Sequence, residues 1–243
     1  MAAKYNSSIN VMGSIPDFAP MIDSIKDEIT SQSLNDSIFM FRTEKTLYRF
    51  QKAINDSILQ FANAEHLNIF AKAIQNEGFS YKDKLLILFW QMTFANSLFN
   101  RISADVFMNA IYSGRVSLMS DEILSLLHHI HEVEPGEITW SEATVKITAS
   151  KYLTLLKKLG LAEGGTRKEI IHPSISSELF VFFIKLALIV YPETKKLDNE
   201  MMQFSFLDRE SLIQRLKRIE FLPYWNISQI GDNVTIELKD NES

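Results

Sequence analysis

The amino-acid sequence predicts a mainly α-helical protein: a helical N-terminal bundle, then a winged helix-turn-helix, then a C-terminal helix and β-hairpin. Glycine and proline are scarce, at 8 and 6 of the 243 residues, which favours long helices. Apolar residues recur at helical spacing along most of the chain. Turn signals at Gly164-Gly165 and Gly231 lie beside short alternating stretches, which indicate β-hairpins. We expect a helical domain over residues 1–117 and a winged-helix region, with the C-terminal helix and hairpin, over residues 118–243.

The N-terminal bundle follows from apolar spacing and helix-capping residues. A first helix is predicted over residues 16–31, because Pro16 suits a helix start and isoleucines recur behind it. A short helix over residues 33–41 follows. The next helix is capped by Thr43 and has an apolar face from Leu47 to Phe61. Further helices are expected over residues 64–76, from a cap at Ser80 to Leu98, and over residues 102–112.

The second part of the chain changes between helical and extended patterns. Ser120 opens a helix to about Ile130, and a turn follows at residues 134–137. Ser141 caps a long helix that ends at Gly160, after which residues 161–163 and 166–172 form two short strands around Gly164-Gly165. The remaining predicted elements are a buried helix from Ser176 to Val190, a helix from Asp208 to Ile219, and strands over residues 225–230 and 234–238.

Composition limits the possible classes of protein. Hydrophobic residues make up 46% and charged residues 23% of the chain, as in ordinary globular proteins. The chain has no cysteine, which excludes disulfides, thiolate zinc sites and cysteine nucleophiles. No apolar run follows the first lysine, and the apolar stretch at residues 179–190 is shorter than the roughly 20 residues that span a bilayer. We expect a cytoplasmic protein without membrane contact.

The long helix after Ser141 carries the main functional prediction. On a helical wheel, Val145, Ala149, Tyr152, Leu156 and Leu159 share one side, whereas small polar and basic residues share the other. Residues 144–168 hold six basic residues and one acid, although the whole chain has a net charge of −5. Such a helix face suits the major groove of duplex DNA, and basic residues near the following hairpin suit backbone phosphates. The predicted contacts are Thr144, Lys146, Ser150, Lys151, Thr154 and Lys158 for the groove, and Arg167 and Lys168 for the backbone. The alternative is an ordinary solvent-exposed lysine face.

Two other basic stretches are weaker candidates. Arg42, Lys45 and Arg49 lie at the start of the helix capped by Thr43, where a phosphate can bind. Basic residues before the terminal hairpin suggest a second winged unit; they are Arg209, Arg215, Lys217 and Arg218. In both places an ordinary charged surface is the alternative.

Catalytic and metal-binding patterns are weak. His128, His129 and His131 resemble a metal cluster, but adjacent helical side chains diverge by about 100°, so the three do not converge. The zinc-helix spacing His-Glu-x-x-His, the phosphate-binding glycine loops and the nucleophile elbow are all missing from the sequence. We therefore expect no enzyme, no metal, no cofactor and no small-molecule substrate.

Several segments together resemble the BrxA family. They are residues 140–153 with the Leu-Lys-Lys-Leu-Gly-Leu stretch at 156–161, the ending at 225–238, and residues 43–49, 84–90 and 96–99. The resemblance implies an all-helical protein with winged elements that binds DNA. It also implies a role in bacterial BREX phage-defence systems, beside a methyltransferase, a phosphatase-like protein and a large ATPase. Some members of this family have been called NusB-like RNA-binding proteins or inner-membrane proteins.

Three hypotheses are compatible with the sequence. The first is a non-enzymatic accessory protein that binds double-stranded DNA within a BREX system. The second is an RNA-binding protein of the NusB type, although the aromatic motifs of single-strand readers are missing from the sequence. The third is a scaffold whose acidic residues 119–142 contact a basic partner among the other BREX proteins.

Overall fold

The computed structural model describes residues 4–31 and 44–239, and the fold over these ranges is mainly α-helical. The α-helices are α1 (Ser8–Met12), α2 (Phe18–Ser31), α3 (Glu44–Ser57), α4 (Ala64–Gln75), α5 (Tyr81–Ala95), α6 (Ser97–Ile102), α7 (Asn109–Tyr112), α8 (Ser120–Val133), α9 (Glu142–Lys158), α10 (Ser177–Val190) and α11 (Arg209–Leu216). The strands are β1 (Ser117–Leu118), β2 (Ala162–Glu163), β3 (Lys168–Ile170), β4 (Trp225–Ile230) and β5 (Asn233–Leu238). A π-helical turn, Ser103–Met108, joins α6 to α7, and 3-10 turns span Glu200–Phe204 and Ile219–Phe221.

Local capping accounts for where many helices begin. Ser80, Ser141, Ser176 and Asp208 each accept a hydrogen bond from a backbone N–H three residues later, so each satisfies a donor that the helix itself leaves unpaired. These four predicted starts are confirmed. The predicted helix over residues 33–41 and the cap at Thr43 lie outside the described residues. Helix α1 was not predicted, because five residues are too few to display a helical period.

Helices α5 and α10 form the centre of the core. Residues 85–93 of α5 are all buried, and α10 buries every residue from 179 to 190 except Lys185. Trp90 of α5 is fully buried and its Nε1 donates to the carbonyl oxygen of Phe204 at 2.9 Å, so this large side chain has no unpaired donor. The prediction that residues 179–190 form a buried core helix is confirmed. Over the described ranges, no helix has the length and apolar character needed to cross a membrane.

A buried polar network links α4 to α5. The backbone N–H of Ala62 donates to Nδ1 of His66 at 3.2 Å, so the ring proton lies on Nε2, which donates to Oε1 of Gln91 at 2.8 Å. The Gln91 amide nitrogen donates in turn to the carbonyl oxygens of Ile58 and Gln60. Burial holds the pKa of His66 below its ordinary value, which keeps the ring neutral in the core.

Two small antiparallel sheets complete the fold. Strands β1, β3 and β2 form a sheet in the order β1-β3-β2, with Ala162 opposite Ile170 and Leu118 opposite Lys168. Gly164 turns the β2–β3 hairpin with a φ of +88°, a conformation that favours glycine. Strand β3 is shorter than the predicted 166–172, and β1 was too short to predict. The C-terminal hairpin of β4 and β5 is confirmed, with Gly231 at a φ of +59°.

The two predicted domains, residues 1–117 and 118–243, contact each other. Strand β1 begins at Ser117 and pairs with β3, so it joins the sheet of the second part of the chain. Residues 4–15, here called the N-terminal segment, contain α1, which packs on α9 and α3. A single hydrophobic cluster contains residues from Tyr5 to Ile236. The division of the chain at 117/118 stays a prediction.

Candidate nucleic-acid interface

Helix α9 packs its apolar side into the core. Val145, Ala149, Tyr152, Leu156 and Leu159 are each at most 5% exposed, which confirms the predicted buried side. The hydroxyl of Tyr152 lies 2.9 Å from Oγ of Ser103, and burial raises the pKa of Tyr152 well above its ordinary value. Thr148, Leu153 and Leu155 are buried as well. The helix is therefore enclosed over more of its circumference than the wheel predicted.

A narrow strip of α9 stays open to solvent. Lys146, Ser150 and Lys157 are exposed and Thr154 is half-buried; these four residues are here called the α9 stripe. They lie on one side of the helix, because successive residues rotate by about 100°. Thr154 donates its hydroxyl to the carbonyl oxygen of Ser150 at 3.0 Å, within the same helix. The stripe therefore carries two ammonium groups and two hydroxyl groups over three helical turns.

The predicted contacts at the start of α9 have partners within the fold. Thr144 is half-buried, and its hydroxyl lies 3.1 Å from Oγ of the capping residue Ser141. Nζ of Lys146 lies 3.5 Å from Oε1 of Glu142, and Nε2 of His128 lies 3.1 Å from Oε2 of the same carboxylate. The hydrogen bond from His128, together with the charge of Lys146, lowers the pKa of Glu142. The side chains of His128, Glu142 and Lys146 are all exposed, so water screens the Lys146–Glu142 pair and Lys146 can exchange Glu142 for another anion.

Lys158 is not part of the open stripe, contrary to the sequence-based expectation. Its Nζ donates to the carbonyl oxygen of Gly13 at 2.9 Å and also to that of Ile15. Burial lowers the pKa of Lys158, and the neighbouring charge of Lys151 adds to this effect. The physical reason for the difference is α1, which was not predicted and which lies along this flank of α9. Lys158 holds the N-terminal segment against α9.

Lys151 lies on the same flank and is also half-buried. If Gly13 carried a Cβ atom, that atom would lie 2.6 Å from the backbone carbonyl oxygen of Lys151. The backbones of the N-terminal segment and α9 are therefore in close contact. The Lys151 side chain lines a cleft that it shares with Arg49 of α3. Lys45 is exposed on α3, and Arg42 lies outside the described residues. The structure thus brings together members of two basic stretches that are about 100 residues apart in the chain.

The β2–β3 hairpin carries a second group of cations beside the stripe. Nζ of Lys157 and Nζ of Lys168 lie 3.3 and 3.2 Å from the carbonyl oxygen of Gly164, and Lys168 also donates to the carbonyl oxygen of Gly165. Burial lowers the pKa of Lys168, and repulsion from Lys157 adds to this. Arg167 donates from Nε to Oγ of Ser117 at 2.8 Å, which ties the turn to β1. Lys157, Arg167 and Lys168 are here called the turn cluster.

Lys157 was not among the residues predicted to contact nucleic acid. Its position on the wheel is between Lys146 and Ser150, so the same reasoning that selected them also indicates it. The hairpin carries acids too: Glu163 and Glu169 are exposed and lie opposite each other across the ladder. Because neighbouring residues of a strand point to opposite faces, Glu169 and Lys168 face different sides of the hairpin.

The α9 stripe and the turn cluster both lie within the part of the chain that matches a known protein family. A family model, described as BrxA, matches residues 21–186 of the chain. The chain belongs to the BrxA family. Membership makes it a BREX-associated protein, as the sequence resemblance indicated. A search of curated proteins and a search of solved structures each found no match. The matched range includes α9, the α9 stripe and the turn cluster, whereas the N-terminal segment and the C-terminal hairpin lie outside it.

In this BrxA-family protein the third basic stretch makes contacts within the fold. Arg215 donates to the carbonyl oxygens of Ile175 and Ser176 and lies 4.3 Å from the centre of the Phe180 ring. Arg209 donates to the carbonyl oxygen of Asp232 at 2.6 Å. Lys217 donates to Oε1 of Gln229, and Arg218 is exposed. These contacts hold α11 to the start of α10 and to the C-terminal hairpin.

The three histidines of α8 have separate surroundings. His128 contacts Glu142, Nδ1 of His131 lies 2.8 Å from the carbonyl oxygen of Ile138, and His129 is exposed. Among residues 4–31 and 44–239, no group of three or more histidine and carboxylate side chains is placed to hold a metal ion.

Proposed function

We propose that this BrxA-family protein is a non-enzymatic accessory protein of a BREX system that binds duplex DNA through a winged helix-turn-helix. In this proposal α8 and α9 are the two helices of the motif, α9 enters the major groove, and the β2–β3 hairpin is the wing. Lys146, Ser150 and Thr154 of the stripe face base edges and phosphates. The turn cluster binds the phosphate backbone beside them.

The observation that carries the proposal is the continuity of the α9 stripe with the turn cluster. Lys157 belongs to both, and its ammonium shares a carbonyl acceptor with Lys168. No ion pair within the described ranges joins Lys157, Arg167 or Lys168 to a carboxylate, so their charges are available to an external anion. Two cations that repel each other at this short range gain stability when a phosphate binds between them.

The topology around α9 supports the same proposal. Strand β1 comes before α8 and α9, and the β2–β3 hairpin comes after them and pairs with β1. In winged helix-turn-helix proteins this order of elements places the wing next to the helix that enters the major groove. The hydrogen bond from Arg167 to Ser117 connects the tip of the hairpin to β1. The wing is therefore held in a fixed orientation relative to α9, which limits the entropy lost on binding.

The acidic segment over residues 119–142 gives less support to a scaffold. Four of its six acids already have partners: Glu122 pairs with Arg115, Glu134 with Lys4, Glu137 with the backbone N–H of Lys4, and Glu142 with His128. Asp121 and Glu132 are the two acids of the segment for which the described residues show no such partner, so fewer of its acids are available to a basic protein.

A competition experiment tests the choice of nucleic acid. The full-length protein is bound to a labelled duplex DNA at low salt and then challenged with unlabelled duplex DNA or with RNA hairpins. The proposal predicts that duplex DNA displaces the probe at lower concentration, because the major groove of A-form RNA is too deep and narrow for α9. Preferential displacement by RNA, or absence of duplex binding at low salt, would contradict it.

A further inference from the structure

A cleft beside the α9 stripe has the chemistry of a small binding site. It has a volume of about 270 Å³ and lies between α1, α3 and α9. Its cations are Arg49 and Lys151, and within the described ranges no aspartate or glutamate lines it. An anion that entered this cleft would meet a guanidinium, which suits phosphate by its planar fork of donors, and an ammonium.

The wall of the cleft is apolar. Val11, Phe50 and Ile147 line it, and Ile147 is 49% exposed although it is a large aliphatic side chain in the middle of a helix. Small-molecule sites typically combine such an apolar wall with a few polar groups that fix the orientation of the ligand. A bare inorganic anion would make no use of this wall.

The cations and the wall together define the ligand. A phosphate would use the guanidinium and the ammonium, and a flat apolar group would use the wall. The ligand should therefore carry an anion and an apolar face.

We infer that the cleft between α1, α3 and α9 binds a nucleotide unit, with its phosphate at Arg49 and Lys151 and its base against Val11, Phe50 and Ile147. The unit is either a free nucleotide or part of a nucleic-acid strand, since both present a phosphate and a base. The inference does not require duplex binding by the α9 stripe.

Isothermal titration of the full-length protein with deoxyadenosine monophosphate, and separately with a short single-stranded oligodeoxyadenylate, tests this inference. Binding of the mononucleotide would identify a free nucleotide as the ligand of the cleft. Binding of the oligonucleotide alone would identify a nucleic-acid strand as the ligand. Deoxyribose 5-phosphate, which lacks the base, should bind about tenfold more weakly than the mononucleotide. Failure of both nucleotide probes to bind, or equal affinity for deoxyribose 5-phosphate, would overturn the inference.

Matched variants separate the cleft from the stripe. Arg49→Gln should raise the Kd for the binding probe about tenfold, whereas Lys52→Gln, an equal loss of charge on the exposed side of α3, should leave it unchanged. Lys146→Gln should alter only duplex binding. Loss of nucleotide binding with duplex binding intact therefore contradicts this inference alone, and the reverse result contradicts the proposed function alone.

Discussion

Lys158 shows how one side chain changes role once its neighbours are known. On the wheel it belongs to the basic side of α9, but its ammonium donates to two backbone carbonyls of the N-terminal segment. Those carbonyls follow the end of α1, whose own last acceptors are paired within the N-terminal segment, as the carbonyl oxygen of Ile9 is with the N–H of Gly13 and that of Met12 with the N–H of Ile15. Lys158 therefore pairs two loop carbonyls, and its positive charge near the C-terminal end of a helix also interacts favourably with the helix dipole.

Replacing Lys158 by methionine should therefore affect stability more than DNA binding. We expect Lys158→Met to lower the free energy of unfolding by about 1–2 kcal/mol, because two acceptors lose their donor while the apolar stem is kept. Lys146→Met, the same change at an exposed position of α9, should cost only a few tenths of a kcal/mol. Urea denaturation measures the free energies, and duplex binding of each folded variant is measured beside it. A Lys158→Met variant of unchanged stability and weakened DNA binding would show that the sequence-based role was correct.

His66 makes the stability of the fold depend on pH. Burial holds its pKa below 6.5 in the folded state, so the unfolded chain binds the proton more readily. Stability from this residue is complete above pH 6.5 and is lost as the pH falls through the lower, folded pKa.

The pH dependence is tested by denaturation between about pH 7 and pH 5. The wild-type protein should lose stability over this range more steeply than His66→Gln, which cannot bind the proton. His129→Gln, at an exposed position of α8, should keep the wild-type slope. An equal slope in the wild-type protein and His66→Gln would contradict the assignment of His66 as the group responsible.

The turn of the β2–β3 hairpin has no room for a side-chain carbon at one of its two glycines. Gly164 has a φ of +88°, and a Cβ atom there would lie 2.9 Å from the backbone oxygen of Arg167. Gly165 follows it in the chain and has no heavy atom within 4 Å of such a Cβ. The two glycines are therefore a matched pair, one required by the turn and one not.

Gly164→Ala should distort the hairpin and Gly165→Ala should not. We expect a loss of about 1–3 kcal/mol in stability for Gly164→Ala, from backbone strain and the close contact. Duplex affinity should fall with it, because the carbonyl that positions Lys157 and Lys168 moves. Equal thermal stability and equal duplex affinity of the two variants would show that the turn geometry does not matter for either property.

The features that could be predicted from the sequence are those determined by residues close together in the chain. The cap at Ser141, the end of α9 and the turn at Gly164 depend on residues a few positions apart, and all were predicted. The position of Lys158 and the meeting of Arg49 with Lys151 depend on α1, which packs across α9 and α3 from far away in the chain. A five-residue helix has too little periodicity to reveal such packing, so that part of the site could not be predicted.

At the scale of the whole molecule, charge is distributed unevenly. The chain has a net charge of −5, yet residues 144–168 alone carry six basic residues and one acid. Many acids of the preceding segment are paired within the fold, as Arg115–Glu122 at 2.5 Å and Lys4–Glu134 at 3.1 Å show. A local positive field on a negatively charged protein favours phosphate at one face and repels it elsewhere. This distribution predicts one orientation on DNA rather than nonspecific coating.

The most direct test is the salt dependence of duplex binding by the wild-type protein and by Lys146→Gln/Lys157→Gln/Lys168→Gln. Fluorescence anisotropy of a labelled duplex gives the binding constant at each salt concentration, and circular dichroism checks that both proteins are folded. We predict weaker binding by the variant. Its plot of log K against log salt should be shallower by roughly 2–3, because each phosphate that the variant no longer neutralises reduces the slope by about 0.9. Identical affinity and an identical slope for the two proteins would contradict DNA binding through the α9 stripe and the turn cluster.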